Sequence, residues 1–176
     1  MFFRKIDNVL DLIRFKIKRS KFKNISKNAD IELPLSLNFY DKIDIMDDTY
    51  LGPGAVIDSR GGVEIGSGTI IGPDVRIYTS NHNYKDPEYL PYDFNWVNKK
   101  VIIGKNVWIG GNVVILPGAY IQDGSIIAAG SVVRGNVEYC SIISGNPAKC
   151  FGYRNIKNYQ KLVTENLIYQ IKKKNK

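Results

Sequence analysis

Aliphatic residues recur every six positions along most of this chain. They stand at Ile45, Leu51 and Ile57, then at Ile65, Ile71 and Ile77, and after a gap at Ile103, Ile109, Ile115, Ile121, Ile127 and Val133 without a slip. Glycine often follows directly, as in IGPDVR, IGKNVW and IGGNVV. A small or β-branched residue often sits four places after the aliphatic one, at Ala55, Thr69, Val75, Val107, Val113, Ala119, Ser125 and Ser131. A period of six is neither the 3.6 of a helix nor the alternation of one long strand. It describes a chain that extends briefly, turns and repeats. Three such steps close a triangular coil of about 18 residues, and successive coils stack at a strand spacing of about 4.8 Å. The aliphatic side chains then point inward onto their equivalents above and below. Gly, Asn and Asp take the corners, where positive φ is often needed.

Two departures break the register. Eight residues separate Ile57 from Ile65, and Gly61-Gly62 between them predicts a local bulge or turn. A much longer excursion, over residues 78–102, holds the only histidine of the chain, His82, together with Tyr84, Tyr89, Tyr92, Phe94 and Trp96. A patternless stretch of that length is usually functional or disordered. The aromatics argue for order, since they need something to pack on. They either glue the loop to a neighbouring subunit or stack against a sugar ring.

Both ends read as amphipathic helices. Phe3, Ile6, Leu10, Ile13 and Ile17 fall at helical spacing opposite Arg4, Lys5, Arg14 and Lys18, and Ile156, Tyr159, Leu162, Val163, Leu167 and Ile171 repeat the pattern at the other end. The expected organisation is a basic helical cap over 1–38, a repeat domain over 39–147 and a helical tail over 148–176. Each helix would shield an open edge of the coil stack.

Charge sharpens this picture. The net charge of +8 sits at the ends, with nine Lys or Arg against Asp7 and Asp11 in residues 1–27 and four more lysines in IKKKNK. An anionic partner fits: a phosphorylated small molecule, or the inner membrane face touched by the basic N-terminal helix. No nucleic-acid-binding module is recognisable, so no nucleic acid is expected. Cys140 and Cys150 form neither a CxxC pair nor a disulfide framework, as in a reducing cytoplasm, and both read as packing residues. The first residues carry charges where a signal peptide needs an apolar run. The expected location is cytoplasmic, with peripheral membrane contact as an option.

The stretch IIGKNVWIGGNVVILPGAYIQDGSIIAAGSVV, followed by SGNPAK, resembles the hexapeptide-repeat acyltransferases, especially their small O-acetyltransferase branch acting on sugars. The resemblance covers about residues 43–153. It implies an all-β fold with flanking helices, a left-handed parallel β-helix of hexapeptide-repeat coils interrupted by one long loop. It also implies a homotrimer with active sites between neighbouring subunits, and acetyl-CoA as donor. His82, in an NH dipeptide within the interrupting loop, looks like the family's catalytic histidine. By the same resemblance Trp108 and Gly111 border the thioester and pantetheine arm. Ala129 offers that arm backbone hydrogen bonds, and Arg134 and Lys149 approach the nucleotide phosphates. Relatives often carry Thr-Lys after the last repeat, whereas this chain has Arg134-Gly135, which puts the phosphate contacts in a different arrangement.

The chemistry agrees with such a site. Moving an acetyl group from a thioester to an alcohol needs both reactants held together, a base for the hydroxyl proton, and donors for the developing oxyanion. An ordinary histidine is mostly neutral at pH 7 and suits the base role. Asp86 or Glu88 could orient it. Asp58, in the eight-residue step, could reach the acceptor, with Tyr84 and Trp96 as its aromatic contacts. One histidine cannot supply the three that metal-binding hexapeptide-repeat carbonic anhydrases use, and no Cys/His cluster exists, so no metal is expected. The reading is an acetyl-CoA-dependent O-acetyltransferase modifying a saccharide hydroxyl in surface-polysaccharide synthesis. An N-acetyltransferase of a nucleotide-linked amino sugar fits the same residues. From another class, a catalytically silent β-helix assembly module would need neither His82 nor Trp108 to stack its coils.

Overall fold

The computed structural model describes residues 20–174. Each six-residue step makes a short strand and a turn, and three steps close one coil with three flat faces. The first face stacks Asn24–Ile25, Ile43–Ile45, Val63–Ile65, Val101–Ile103, Tyr120–Ile121 and Asn136–Val137. The second stacks Asp30–Ile31, Tyr50–Leu51, Ile70–Ile71, Trp108–Ile109, Ile126–Ile127 and Ser141–Gly145. The third stacks Ser36–Asn38, Val56–Asp58, Arg76–Tyr78, Val114–Ile115 and Val132–Val133. Neighbours on every face pair in parallel, with inward residue on inward residue, as in Ile71 on Ile109 on Ile127. The result is a left-handed parallel β-helix of about six turns.

Burial follows the period closely. All twelve register positions from Ile45 to Val133 are at most 1% exposed. The small residues four places on are equally covered. Their hydroxyls are satisfied locally: Thr69 donates to the Gly104 carbonyl at 2.8 Å and Ser131 to the Ala128 carbonyl at 2.7 Å. Asp48, Asp74, Asn106 and Asn112 hold the corners at positive φ.

The coil stack begins before the predicted repeat domain. Residues 24–38, expected within a helical cap, instead form a first coil, with Ile25, Ile31 and Leu37 continuing the six-residue step. The physical reason is pairing: each of these short strands lies in register on the coil above, Leu37 on Ile57 for example. The amphipathic helix expected at the N-terminus falls mostly on residues 1–19, which lie outside the described residues. At the other end Val137 and Ile143 carry the inward column one coil further.

All insertions into the six-residue step fall at one corner, between the third and first faces. Leu37 to Ile45 and Ile57 to Ile65 each span eight residues, and the long loop separates Ile77 from Ile103 there. The three stand above one another. Ser59 Oγ donates to the Phe39 carbonyl at 2.9 Å, and the Gly61 N–H donates to Thr79 Oγ1 at 2.7 Å. Gly62 closes the second step as a turn at φ 96°, its N–H donating to the Ser59 carbonyl at 2.8 Å. Tyr78 and Val101 belong to strands, so the loop proper is shorter than the 78–102 expected.

The C-terminal tail also differs from expectation. Ala148–Tyr153 is a strand, antiparallel to Ser141–Gly145, and only then do two helices follow, α1 (Ile156–Thr164) and α2 (Tyr169–Lys174). Asn155 caps α1, its side-chain oxygen accepting from the Asn158 N–H at 3.0 Å. The helices do not close the open end. They run back along the corner between the first and second faces as a strap. Asn106 Nδ2 donates to the Tyr159 hydroxyl at 3.5 Å, Lys173 pairs with Asp30 at 3.4 Å, and Lys174 with Asp48 at 2.8 Å. The strap thus ties the last coil to the first.

This inside–outside division is directly measurable. Ile109→Ala, at a fully buried site, should destabilise the fold by about 2–5 kcal/mol. Trp108→Ala, one residue earlier and outward-facing, should change stability by less than about 1 kcal/mol. Denaturant unfolding of the two variants checks both.

Candidate active site

The long loop is rooted as a hairpin. Ser80–His82 pairs antiparallel with Trp96–Asn98, setting His82 opposite Trp96. The tip is organised by a buried carboxylate, Asp93. It accepts from Asn83 Nδ2 at 2.8 Å and from the backbone N–H groups of Asn95 at 2.8 Å and Glu88 at 3.4 Å. Burial pushes this carboxyl up, but these hydrogen bonds outweigh it and hold it below its ordinary value of 3.8.

His82 is held by its faces. Tyr92 stacks on the imidazole with centroids 3.7 Å apart and planes 17° apart, and Trp96 lies 4.1 Å away at 38°. The Arg60 guanidinium lies 4.1 Å from the Trp96 ring and 4.7 Å from the Phe39 ring. Nδ1 of His82 and Nε of Arg60 are both buried without a hydrogen-bond partner. No carboxylate, Asp86 or Glu88 included, bonds to Nδ1 of the imidazole; the Asp86 carbonyl accepts from Asn83 and the Glu88 N–H donates to Asp93. Asp58 sits on the third face at the loop's root, where its Oδ2 accepts from Ser80 Oγ at 3.3 Å. Tyr84, Tyr89 and Phe94 face outward, with Phe94 89% exposed.

The residues assigned to a donor lie elsewhere on the coil. Trp108 projects from the second face, 54% exposed, as its place before an inward isoleucine demands. Gly111 and Ala129 stand on consecutive coils at the corner between the second and third faces. A Cβ at Gly110 would lie 2.7 Å from the Ala129 nitrogen, so this corner admits only glycine at that coil spacing. Lys149 follows the turn above this corner, where the Gly145 N–H donates to Ser131 Oγ at 3.2 Å. Arg134 stands apart, at the corner shared with the loop. It lines a cavity of about 190 Å³ at the open end with Glu138, Cys150 and Tyr153. There the Tyr153 hydroxyl donates to Glu138 at 2.6 Å, and that bond, with help from Cys150, pushes the phenol up to about 12.

One chain therefore does not bring all these residues together. His82, Asp58, Tyr84 and Trp96 gather at one corner, while Trp108, Gly111, Ala129 and Lys149 occupy the far side. Tyr92, one of the loop aromatics, joins the first group, as do Phe39, Arg60 and Asp93, which no motif announces. The recurrence of the eight-residue step at one corner is the only sequence signal for Phe39 and Arg60. Among the described residues, no group of three His, Cys, Asp or Glu could hold a metal ion, and no helix is long and apolar enough to cross a membrane. Cys140 is buried, but Cys150 is exposed rather than packed.

Known proteins agree with this architecture. Residues 100–135 match the family described as bacterial transferase hexapeptide (six repeats). No curated protein sequence matches the chain. Among solved structures, a hexapeptide-repeat-containing acetyltransferase from Vibrio cholerae O1 biovar eltor, complexed with acetyl coenzyme A, is 28% identical with a TM-score of 0.73, over 82% of this chain and 78% of that chain. A maltose O-acetyltransferase from Clostridium difficile 630 is 29% identical with a TM-score of 0.71, over 80% and 74% of the two chains. A galactoside acetyltransferase in complex with coenzyme A is 28% identical with a TM-score of 0.71, over 83% and 72%. The chain is a hexapeptide-repeat β-helix protein. Its structural neighbours are acetyltransferases.

The tip of the loop has a testable acid limit. Because Asp93 is held below its ordinary value, its contribution is full above pH 3.8 and fades as pH falls through the lower folded value. Hydrogen exchange should show the Glu88 and Asn95 amides losing protection below about pH 4 in the wild type. Asp93→Asn should weaken that protection at neutral pH and abolish the acid step.

Proposed function

We propose that the protein is an acetyl-CoA-dependent O-acetyltransferase that modifies a saccharide hydroxyl, with His82 as general base. One observation carries the reading: the sole histidine is held between two aromatic rings on the one long loop that interrupts the coils. The acetyltransferase neighbours with acetyl-CoA or CoA bound support the donor, and those named for maltose and galactoside support the acceptor class.

In this mechanism the acceptor hydroxyl gives its proton to the imidazole as its oxygen attacks the thioester carbonyl. The carbonyl oxygen takes up charge in a tetrahedral intermediate. Collapse breaks the C–S bond, and the imidazolium returns the proton to the departing sulfur. The products are an acetyl ester and free coenzyme A, with no covalent enzyme intermediate. Trp108 and Gly111 of one copy border the thioester arm, Ala129 holds it through its backbone, and Lys149 of that copy meets the phosphates together with Arg134 of the copy that supplies His82. Asp58, Tyr84 and Trp96 face the acceptor. Surface-polysaccharide synthesis in the cytoplasm is the setting this activity suits. Two of the tail's lysines, Lys173 and Lys174, are ion-paired to Asp30 and Asp48.

The separation of the two groups of residues supports a homotrimer. In it the loop corner of one copy meets the second face of the next, so His82 of one chain stands beside Trp108 of its neighbour. Exposed apolar groups on both sides, Leu90 and Phe94 on the loop and Leu167 and Tyr169 beside Trp108, supply contact area.

Acetyl-CoA offered with a panel of hydroxyl and amino saccharides, with product mass and free thiol followed, tests the activity. His82→Ala should lower kcat by about 10²–10⁴-fold with the fold and acetyl-CoA binding retained. An active His82→Ala protein would remove the base. Light scattering at micromolar concentration should give a trimer, and a monomer would rule out a site shared between copies.

A further inference from the structure

The two eight-residue steps are not needed for coil stacking, since the same corner is turned in six residues between Ile115 and Ile121. We infer that they carry a supporting column for the imidazole, and that Phe39 and Arg60 are positioning residues for His82. The inference rests on reading His82 as the base.

The first short insertion contributes Phe39 and the second contributes Arg60, at successive levels of the corner from which the loop leaves. Their side chains continue the stack on which the histidine sits. From the bottom, Phe39 lies 4.7 Å from the Arg60 guanidinium, Arg60 lies 4.1 Å from Trp96, Trp96 lies 4.1 Å from His82, and His82 lies 3.7 Å from Tyr92. Face contacts therefore run unbroken from the second coil's entry to the imidazole.

The inner edges of these groups add no hold. Nδ1 of His82 and Nε of Arg60 are sealed from solvent and unpartnered, so no carboxylate grips either group at that nitrogen. Trp96 sits in a hairpin and is 40% exposed, so its tilt depends on what lies against its inner side. A planar guanidinium stacks flat on an indole, which an ammonium does not. Arg60 is itself fixed through its backbone: its N–H donates to Asp58 Oδ1 at 3.4 Å, and its carbonyl accepts from Lys42 Nζ at 2.9 Å. Phe39, held at φ 54°, backs it from below. Remove the guanidinium, and Trp96 loses the contact on its inner side that sets its tilt against the imidazole.

The single histidine makes this measurable without reference to activity. In histidine-labelled full-length protein, the one imidazole signal should be displaced by the ring currents of Tyr92 and Trp96. Arg60→Ala and Phe39→Ala should move it toward the position of free imidazole. In the acetyl-transfer assay, Arg60→Ala should lower kcat about ten- to hundredfold, the effect of a slightly misplaced group, with the acetyl-CoA KM within about twofold. Arg60→Lys keeps the charge and loses the flat face, so it should behave like Arg60→Ala, and it decides by the same readouts if the alanine variant does not fold. An imidazole signal unmoved in these variants overturns the proposal, as does full rescue by lysine or an unchanged kcat. A wild-type protein inactive on every saccharide would instead refute the functional reading, while the imidazole signal still decides whether the column holds the ring.

Discussion

The molecule depends on one repeated contact: a branched aliphatic side chain lying on its equivalent one coil below. Short parallel strands have no local partner, and a single coil cannot cover its own inward face. Stacking solves both problems together, satisfying backbone groups between coils while the aliphatic column is withdrawn from water. The twelve register positions are at most 1% exposed, so the interior leaves no room for any further chemistry. Whatever the protein does must happen on its faces and at its corners.

That constraint explains where departures from the repeat can go. An extra residue within a strand would turn an inward side chain outward. Added at a corner it costs only a wider turn. The chain concentrates its insertions at a single corner, so that two short bulges lie beneath one long loop. A rigid stack thereby presents a histidine on a mobile kind of element without leaving its orientation to the loop alone. The strap formed by α1 and α2 runs along a different corner and ties coils that are far apart in sequence, leaving the loop corner free.

The same rigidity keeps the two groups of residues apart. Groups on opposite sides of a filled prism cannot approach one another, however the loop moves. The histidine and the tryptophan-bearing face belong to one catalytic centre only if a second copy supplies the missing half. Assembly and chemistry are then the same requirement, and the exposed apolar residues on both sides acquire a reason.

Much of this was legible in the sequence, for a definite reason. A six-residue period names the inward positions directly, because the same spacing sets both the chain's turn and the stacking of its core. The outward aim of Trp108 and the placement of His82 in an excursion follow from that register. The first coil was hidden because Ile25, Ile31 and Leu37 follow a basic, helix-like stretch, and their strand character comes only from pairing with the coil above. The tail was read as a cap because helical amphipathicity states that a face is buried, not against what. Phe39, Arg60 and Asp93 carry no motif. Phe39 and Arg60 meet the loop because stacked corners bring residues 20 to 40 positions apart within a few ångströms, and Asp93 gains its partners only when the loop closes around it. Local periodicity determined the coil; only its stacking decided which side chains meet at the corner.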